Sequence, residues 1–282
     1  MSFLQKASVS DTELLSEIQR KLSFEVRERW FRRMIRLKRE PRSKGFFDSY
    51  PRFFSTSDTA AAPDRLNQRH RALIESNAAI ISGRKVLDIA SHDGRWSLAA
   101  HKAGADYVLG IEARQHLVNA ARDNMREYGV PAGKVEFVQG DVMVVLEQLQ
   151  SGRFDTVFCF GFLYHTIDHM PLFRKIARLK PANLVIDTTV SLRPGSVVEV
   201  HEEPTDHESM AAFGDLESID PAKAARAIKG YPSKEALRLM LKAVGFSNLR
   251  YYDWQTAGIK RWDDLKNYYL GTRITVTAQA DR

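Results

Sequence analysis

Apolar residues in the first forty positions follow a helical spacing. They recur about every four residues, at Leu22, Val26, Trp30 and Met34. This spacing predicts a helix over residues 11–39. The period is lost between about Pro41 and Pro63, where the segment FFDSYPRFFSTSD predicts an aromatic loop. A further helix is predicted from Asp64 to Ile81, ended by Gly83.

From Lys85 onward, strand and helix patterns alternate. The predicted strands are Lys85–Ala90, Tyr107–Ile111, Lys134–Val138, Phe154–Phe160 and Asn183–Asp187. The predicted helices between them are Gly94–Ala103, Arg114–Tyr128, Met143–Leu149 and Met170–Leu179. Regular alternation of this kind favours an α/β fold, with a parallel sheet covered by helices on both faces. We therefore predict a helical extension over residues 1–82 and one α/β domain over residues 83–282.

The end of the chain has a different pattern. Residues 190–231 lack a clean period and are predicted to be an inserted, solvated loop that acts as a lid. Ser233 is predicted to cap a helix that runs to about Val244. Two last strands are predicted at Asn248–Trp254 and Arg273–Ala278, which brings the sheet to seven strands. Because no strong helical crossover separates this pair, we expect antiparallel pairing.

Composition places the chain among ordinary globular proteins. Apolar residues make up 44% of the 282 positions and charged residues 27%, which excludes collagenous or disordered chains. No apolar run approaches the roughly 18 residues that span a bilayer, and the first residues lack a signal-peptide pattern. We expect no membrane partner. Cys159 is the single cysteine, so no intramolecular disulfide forms, and a cytoplasmic location is predicted.

Positive charge is concentrated near the N-terminus. The whole chain carries a formal charge of +7, and between Glu17 and Arg42 ten basic residues outnumber four acidic ones, which leaves +6 there. A nucleic-acid partner therefore stays open, but a solvated outer helix face accounts for the charge more simply. The apolar stripe of the same helix would serve a homodimer as well as the core.

The loop after the first predicted strand has the sequence Asp88-Ile-Ala-Ser-His-Asp-Gly94. In open α/β sheets, ligands bind beyond the carboxyl ends of the strands, so this loop is the first candidate site. A dinucleotide fingerprint needs three glycines in G-x-G-x-x-G spacing, and this loop has one. That difference counts against NAD and FAD.

The loop resembles the first motif of the class I S-adenosylmethionine-dependent methyltransferases, D-x-G-x-G-x-G. Ala90 and His92 stand where that family has its first two glycines, and Gly94 keeps the third. An acid at Glu112 ends the second strand and Asp141 follows the third, as in that family. The resemblance runs from about Lys85 to Ala278. It implies a Rossmann-like, seven-stranded, mostly parallel sheet and S-adenosyl-L-methionine as cofactor.

The resemblance also implies a role for each matched residue. Asp88 would receive the amino group of the methionine part, Glu112 the two ribose hydroxyls and Asp141 the adenine amine. The predicted cofactor-binding residues are Asp88, Ala90, Ser91, His92, Gly94, Glu112, Ala113, Arg114, Asp141, Val142 and Phe160. The alternative for each acid is that it complements the dipole of the following helix.

The fourth predicted strand is followed by Leu163-Tyr164-His165. This element is similar to a subgroup that contains small-molecule tailoring methyltransferases and the tRNA uridine-5-oxyacetate carboxymethyltransferase. Methyl transfer from a sulfonium requires a positioned nucleophile and removal of its proton. We predict His165 as the general base, with Tyr164 shaping the site. The alternative is that both side chains only close the cofactor pocket. Asp168 and His169 are predicted to begin the following helix.

Three functions remain open on this sequence. The first is methyl transfer to an oxygen or nitrogen of a small metabolite, the second is methyl or carboxymethyl transfer to tRNA, and the third is a non-catalytic scaffold that binds the cofactor. No cluster of Lys and Arg is evident near the predicted pocket, which favours the first. The insertion sequence HEEPTDHE, from His201 to Glu208, contains carboxylates and imidazoles, but its loose spacing leads us to predict no metal.

Overall fold

The computed structural model describes residues 26, 28–29, 32, 44–57, 62–204, 226–259 and 262–281. Residues 26, 28, 29 and 32 are helical, as the pattern near the N-terminus predicts. The rest of the predicted helix over residues 11–39 lies outside the described residues, as does the stretch 205–225. No described helix has the length and apolar character needed to cross a bilayer.

Seven of the nine strands in the described residues form one sheet. The strands are β1 (Lys85–Ile89), β2 (Tyr107–Glu112), β3 (Val135–Gln139), β4 (Thr156–Phe160), β5 (Asn183–Thr189), β6 (Val198–Pro204), β7 (Arg226–Pro232), β8 (Asn248–Tyr251) and β9 (Arg273–Gln279). The sheet order is β3-β2-β1-β4-β5-β9-β8, with β1 to β5 parallel and β9 antiparallel to both β5 and β8. The predicted α/β class and the antiparallel last pair are confirmed. The order reverses between β1 and β4, so their carboxyl ends mark the ligand crevice.

The helices predicted from Asp64 onward follow their predicted bounds to within one or two residues, with one exception, and the short last helix was not predicted. They are α1 (Pro63–Leu73), α2 (Arg95–Lys102), α3 (Gln115–Glu127), α4 (Val142–Gln148), α5 (His169–Arg178), α6 (Lys234–Ala243) and α7 (Lys266–Tyr269). The exception is the predicted helix from Asp64 to Ile81, which ends at Leu73 and continues as a 3-10 helix over Glu75–Ile80. Ser76 Oγ and Asn77 Nδ2 donate to the last carbonyls of α1, which competes with continued α-helix.

The predicted aromatic loop contributes to the core. It forms two short 3-10 helices, Phe46–Ser49 and Pro51–Phe54, from which Phe47 and Phe53 are fully buried. The Phe47 ring meets Trp96 of α2 edge-on at 5.3 Å between centroids. Both phenylalanines belong to the hydrophobic cluster on one face of the sheet, whereas α4, α5 and α6 cover the other face. Side-chain alternation along β1 to β5 supplies both clusters.

The prediction for residues 190–231 is wrong in part. We expected a loop, but β6 and β7 pair antiparallel as a separate two-stranded sheet, with Val200 opposite Gly230. The two-residue alternation of Val198 and Val200 with Glu199 and His201 is a strand signal that the charged composition concealed. The predicted cap is confirmed, since Ser233 Oγ accepts from the Ala236 N–H that begins α6.

Candidate functional site

The loop after β1 keeps a glycine-like backbone without the first two glycines. Ala90 and His92 have φ angles of +54° and +55°, and Gly94 has +79°. A residue with a Cβ in this left-handed region costs roughly 1–2 kcal/mol. At Ala90 and His92 the loop therefore has a backbone conformation that favours glycine, at the cost of strain, so other contacts must hold it in place.

Asp93 supplies those contacts. Its carboxylate, fully buried, accepts two hydrogen bonds from Arg95, Nε at 2.7 Å and Nη2 at 2.8 Å, and a third from Thr56 Oγ1 at 2.7 Å. Burial alone would raise the pKa of Asp93, but the Arg95 guanidinium and His92 outweigh it and hold that pKa well below its usual range. Sequence reasoning assigned no role to Asp93, Arg95 or Thr56, because only the fold brings the 44–57 segment to this loop.

Two polar groups of the loop are buried without a partner in the structure. His92 Nδ1 lies 3.2 Å from Arg95 Nη2 and 3.4 Å from Asp93 Oδ1, so the polar contacts described for this ring are made by Nδ1 and not by Nε2. That Nε2 and Ser91 Oγ have no hydrogen-bond partner. Buried polar groups are normally satisfied, so unpaired ones at a strand tip fit a ligand with polar atoms such as S-adenosylmethionine.

Glu112 at the end of β2 is buried and tied to the same loop. One carboxylate oxygen accepts from the His92 N–H at 3.0 Å, and the other accepts from the N–H and Nε of Arg114, at 3.1 and 2.9 Å. These bonds use three of about four acceptor directions. Glu112 therefore has a structural task, and at least one direction remains for a ribose hydroxyl.

Gly110 of β2 is required by the packing behind this loop. A Cβ there would lie 2.5 Å from the Phe137 ring and 2.7 Å from Ser91 Oγ, both closer than carbon can approach. The absence of a side chain lets β2 and the loop after β1 come together.

Asp88 is buried at the end of β1 and accepts from Ser97 Oγ at 2.7 Å. Burial is the largest cause that raises its pKa to about 7; the Ser97 hydrogen bond opposes this shift, and the negative charges of Glu112 and Asp93 add to it. A bound cation such as an ammonium group would stabilise the ionised form of this buried carboxylate.

Asp141 is the N-cap of α4. Its Oδ1 accepts from the N–H groups of Met143 and Val144, at 2.7 and 3.2 Å. The helix-capping alternative is therefore realised at this position, and a contact with adenine stays a prediction for the other carboxylate oxygen.

Of the other predicted cofactor-binding residues, Val142 and Phe160 are buried. The Ala113 carbonyl accepts from Gln139 Nε2.

A 3-10 turn, Leu163–His165, follows β4 and presents Tyr164 and His165 half-buried. Their rings lie 4.2 Å apart, and the Tyr164 ring is 6.2 Å from that of Tyr231 on β7. His169 begins α5, as predicted, and its Nε2 bonds the Leu163 carbonyl at 3.1 Å. Burial lowers the pKa of His169. This buried histidine fastens the turn that carries His165.

Sequence reasoning missed a cluster of arginines beside this turn. Asp187 of β5 is fully buried, and its Oδ1 accepts from Arg69 Nη2 at 3.0 Å and from Arg273 Nε at 2.7 Å. Its Oδ2 accepts from Tyr268 and Thr275, each at 2.8 Å. We expected no such cluster near the pocket, because α1 and β9 contribute residues 200 positions apart. In the sequence, the only indication of this cluster was the spacing of Arg65 and Arg69, which is one helical turn.

Comparisons with known proteins find sequence similarity to methyltransferases. Residues 86–181 match the model of a family described as a methyltransferase domain. A tRNA U34 carboxymethyltransferase from Pseudomonas savastanoi pv. phaseolicola is 31% identical over 178 residues, which is 61% of this chain and 48% of the relative. A ubiquinone biosynthesis O-methyltransferase from Bordetella avium is 35% identical over 124 residues, 44% of this chain and 49% of the relative. The chain thus spans about half the length of these curated relatives.

Solved structures share the fold. The N-terminal domain of EvdMO1 with SAH bound superposes with a TM-score of 0.54 at 20% identity, covering 94% of this chain and 96% of that one. Magnesium protoporphyrin IX methyltransferase from Synechocystis, also with SAH bound, gives 0.51 at 17% identity, covering 83% and 94%. Residues 86–181 thus match a methyltransferase domain, and the strand-tip site lies within this segment of the shared fold.

Proposed function

We propose that this chain transfers a methyl group from S-adenosylmethionine to an oxygen or nitrogen of a small metabolite by in-line displacement. The observation that carries the proposal is the loop after β1, where Glu112 is buried against the backbone of His92 and two polar groups lack partners. The restriction to a small acceptor rests on the arginines near β4. Arg69 and Arg273 expose only 11% and 7% of their side chains, too little to track a polynucleotide backbone.

The bound cofactor supplies an electrophilic methyl group on its sulfonium. In this proposal Asp88 holds the ammonium of the methionine part, Glu112 a ribose hydroxyl and Asp141 the adenine amine. His165 takes the proton from the acceptor, since imidazole titrates near neutral pH, and Tyr164 orients the acceptor. Phe160 and Val142 exclude water from the cofactor pocket, since both are buried beside the strand tips.

Titration with S-adenosylhomocysteine tests the cofactor assignment, and a panel of small alcohols, phenols and amines tests the acceptor class. Formation of S-adenosylhomocysteine with any member of the panel supports the proposal. Failure to bind S-adenosylhomocysteine in calorimetry would remove it.

The second candidate is methyl or carboxymethyl transfer to tRNA. It is favoured by the similarity to a tRNA U34 carboxymethyltransferase over 178 residues and by the +6 charge between Glu17 and Arg42. Binding of bulk tRNA should then be tight and fall steeply with salt, because each neutralised phosphate releases counterions. We expect weak binding with a shallow salt dependence, and the opposite result would promote this second function above the first.

Glu112→Ala is expected to weaken S-adenosylhomocysteine binding by about tenfold or more, the scale of a lost charge-assisted hydrogen bond. Since Glu112 also accepts from the His92 N–H, Glu112→Gln separates the two roles: it keeps the size but replaces one acceptor oxygen by a donor. Calorimetry on both variants, with the exposed Glu127→Gln as control, measures the effect. Unchanged affinity in Glu112→Ala would refute the ribose assignment.

Cofactor binding is expected to strengthen as pH rises from about 6 to about 8. The pKa of Asp88 near 7 leaves it partly protonated at neutral pH, whereas a bound ammonium favours the carboxylate. The raised pKa also means that the folded apo-protein binds an extra proton between about pH 4 and 7, so its stability falls as pH rises through that window. Titration calorimetry at three pH values measures the affinity, and scanning calorimetry at the same pH values measures the stability of the apo-protein. In Asp88→Asn both pH dependences should be abolished. A pH-independent affinity would contradict the assignment.

A further inference from the structure

We infer that Arg65, Arg69 and Arg273 form a subsite for a carboxylate or phosphate group on the acceptor. This inference rests on the proposed function only in taking the ligand to be the acceptor. The three guanidinium groups come from α1 and from the first residue of β9. Arg69 and Arg273 contact the buried carboxylate of Asp187, and Arg65 lies over the ring of Tyr268, 5.3 Å from its centroid.

The cluster lies beside the groups that would perform the chemistry. Arg273 Nη2 is 3.3 Å from the point that a Cβ on Gly161 would occupy, directly after β4. Its guanidinium carbon lies 5.5 Å from the centre of the Tyr164 ring. On the other side, the guanidinium of Arg69 stacks over Trp96 at 4.9 Å, and Trp96 belongs to the helix that follows the cofactor loop. An acceptor between the fourth strand and the cofactor loop would reach these arginines.

The charges in this cluster do not balance. Asp187 pairs with Arg69 and Arg273, whereas the contacts described for Arg65 are to neutral groups, the Asp264 carbonyl at 2.7 Å and Asn267 Oδ1 at 3.0 Å. Among the described contacts, one carboxylate thus faces three guanidinium groups, an excess of two positive charges. Burial lowers the pKa of Arg65; the positive charges of Arg69 and Arg273 add to this effect, whereas Tyr268 and Asp187 oppose it. A second anion would relieve this repulsion.

Two N–H donors in the same group of side chains are unsatisfied. Arg69 Nε is buried with no partner in the structure, and so is Nε1 of Trp254, whose ring stacks on Tyr268 at 3.8 Å. Tyr268 in turn donates to Asp187. Unpaired buried donors are costly, and arginine suits planar or tetrahedral oxyanions because its donors are arranged in a rigid fork.

Enclosure decides the size of the ligand. Since the side chains of Arg69 and Arg273 are about nine-tenths buried, the anionic group must enter the fold to reach them. A single carboxylate or phosphate on a small molecule can do so. The subsite therefore selects acceptors that carry an acidic group near the atom to be methylated.

The test uses benzoate and inorganic phosphate as probes, with benzyl alcohol as the uncharged match for benzoate. Protein saturated with S-adenosylhomocysteine is titrated with each probe, and binding is followed by calorimetry and by tryptophan fluorescence, because Trp96 underlies Arg69. We expect benzoate or phosphate to bind and benzyl alcohol to bind at least tenfold more weakly. Arg69→Gln and Arg65→Gln should each weaken anion binding about tenfold, the scale of one charge-assisted contact.

The matched control is Arg71→Gln, an exposed arginine on the same helix, which should change anion affinity less than twofold. Arg65→Gln keeps both Asp187 ion pairs and provides the test if Arg69→Gln unfolds. Wild-type anion affinity in folded Arg65→Gln and Arg69→Gln would overturn the subsite, as would equal binding of benzoate and benzyl alcohol. The subsite would also be overturned if the arginine variants lost affinity only for a cofactor that carries a carboxymethyl group. The arginines would then bind an anion on the methyl donor and not on the acceptor.

This experiment is separate from the test of methyl transfer. If the protein fails to bind S-adenosylhomocysteine, the proposed function falls, whereas the anion titration of the apo-protein still reports on the arginines. If the wild-type protein binds S-adenosylhomocysteine normally but binds neither benzoate nor phosphate, only the subsite falls.

Discussion

His165→Ala is expected to lower the rate of methyl transfer by about 10²–10⁴-fold while cofactor affinity changes little, because a general base acts on the acceptor's proton and not on the cofactor. The structure makes this test informative, since His165 lies in a turn held by other groups. The turn is closed by the hydrogen bond between the His165 N–H and the Phe162 carbonyl, and His169 fastens it from α5. Both contacts survive removal of the imidazole.

The measurement is the initial rate of S-adenosylhomocysteine formation at saturating cofactor, with calorimetric affinity beside it. His116→Ala, an exposed histidine on α3, is the control and should keep the wild-type rate. A general base also leaves an acid limb in the pH–rate profile, which His165→Gln should remove. A fully active His165→Ala protein would leave His165 and Tyr164 as residues that only close the pocket.

Asp187→Asn is expected to destabilise the fold by about 3–5 kcal/mol, because it leaves the buried Arg69 and Arg273 without their counter-charge. Burial opposes ionisation of Asp187, but the arginines outweigh it and hold the pKa of Asp187 well below its usual range. A lowered pKa means that this stabilisation is present above the ordinary titration range of aspartate and is lost only as pH falls below it.

Urea unfolding at neutral pH measures the loss, with Asp123→Asn as control. Asp123 pairs with Arg126 on the surface of α3, where an exposed ion pair contributes about 0–1 kcal/mol. Equal effects of the two substitutions would show that the buried cluster is not an important part of the stability. The free energy of unfolding lost when Asp187 and Arg273 are both substituted should be smaller than the sum of the losses in the two single variants, since the two side chains interact.

The strand and helix order could be predicted because each element carries its own period. Buried strands such as β4 are continuous apolar runs, and helices such as α6 are bounded by a cap at Ser233 and a glycine at Gly245. The prediction was weakest where two signals competed. In β6 the alternation of valine with charged residues indicates a strand, but the acidic composition of the surrounding insertion favoured a loop.

The candidate site, too, was predictable from the sequence only in part. Asp88 lies near the end of a predicted strand, and Glu112 and Asp141 follow predicted strands, so their shared edge of the sheet could be inferred from the sequence. Their partners could not be inferred, because hydrogen bonds such as Thr56 to Asp93 join segments 37 residues apart in the chain. Nor could the capping role of Asp141, since a cap and a ligand contact require the same residue type at the same place.

The amino-acid sequence by itself determined the alternating elements, the class of the fold and the loop at which we propose that a cofactor binds, because periodicity and local motifs act over short stretches of chain. Only the tertiary structure decided which charges meet. Arg69 of α1 and Arg273 of β9 converge on Asp187 of β5, and β9 reaches that position through its antiparallel pairing with β5. Contacts between distant segments depend on how the whole sheet and its helices pack, and no local pattern encodes that.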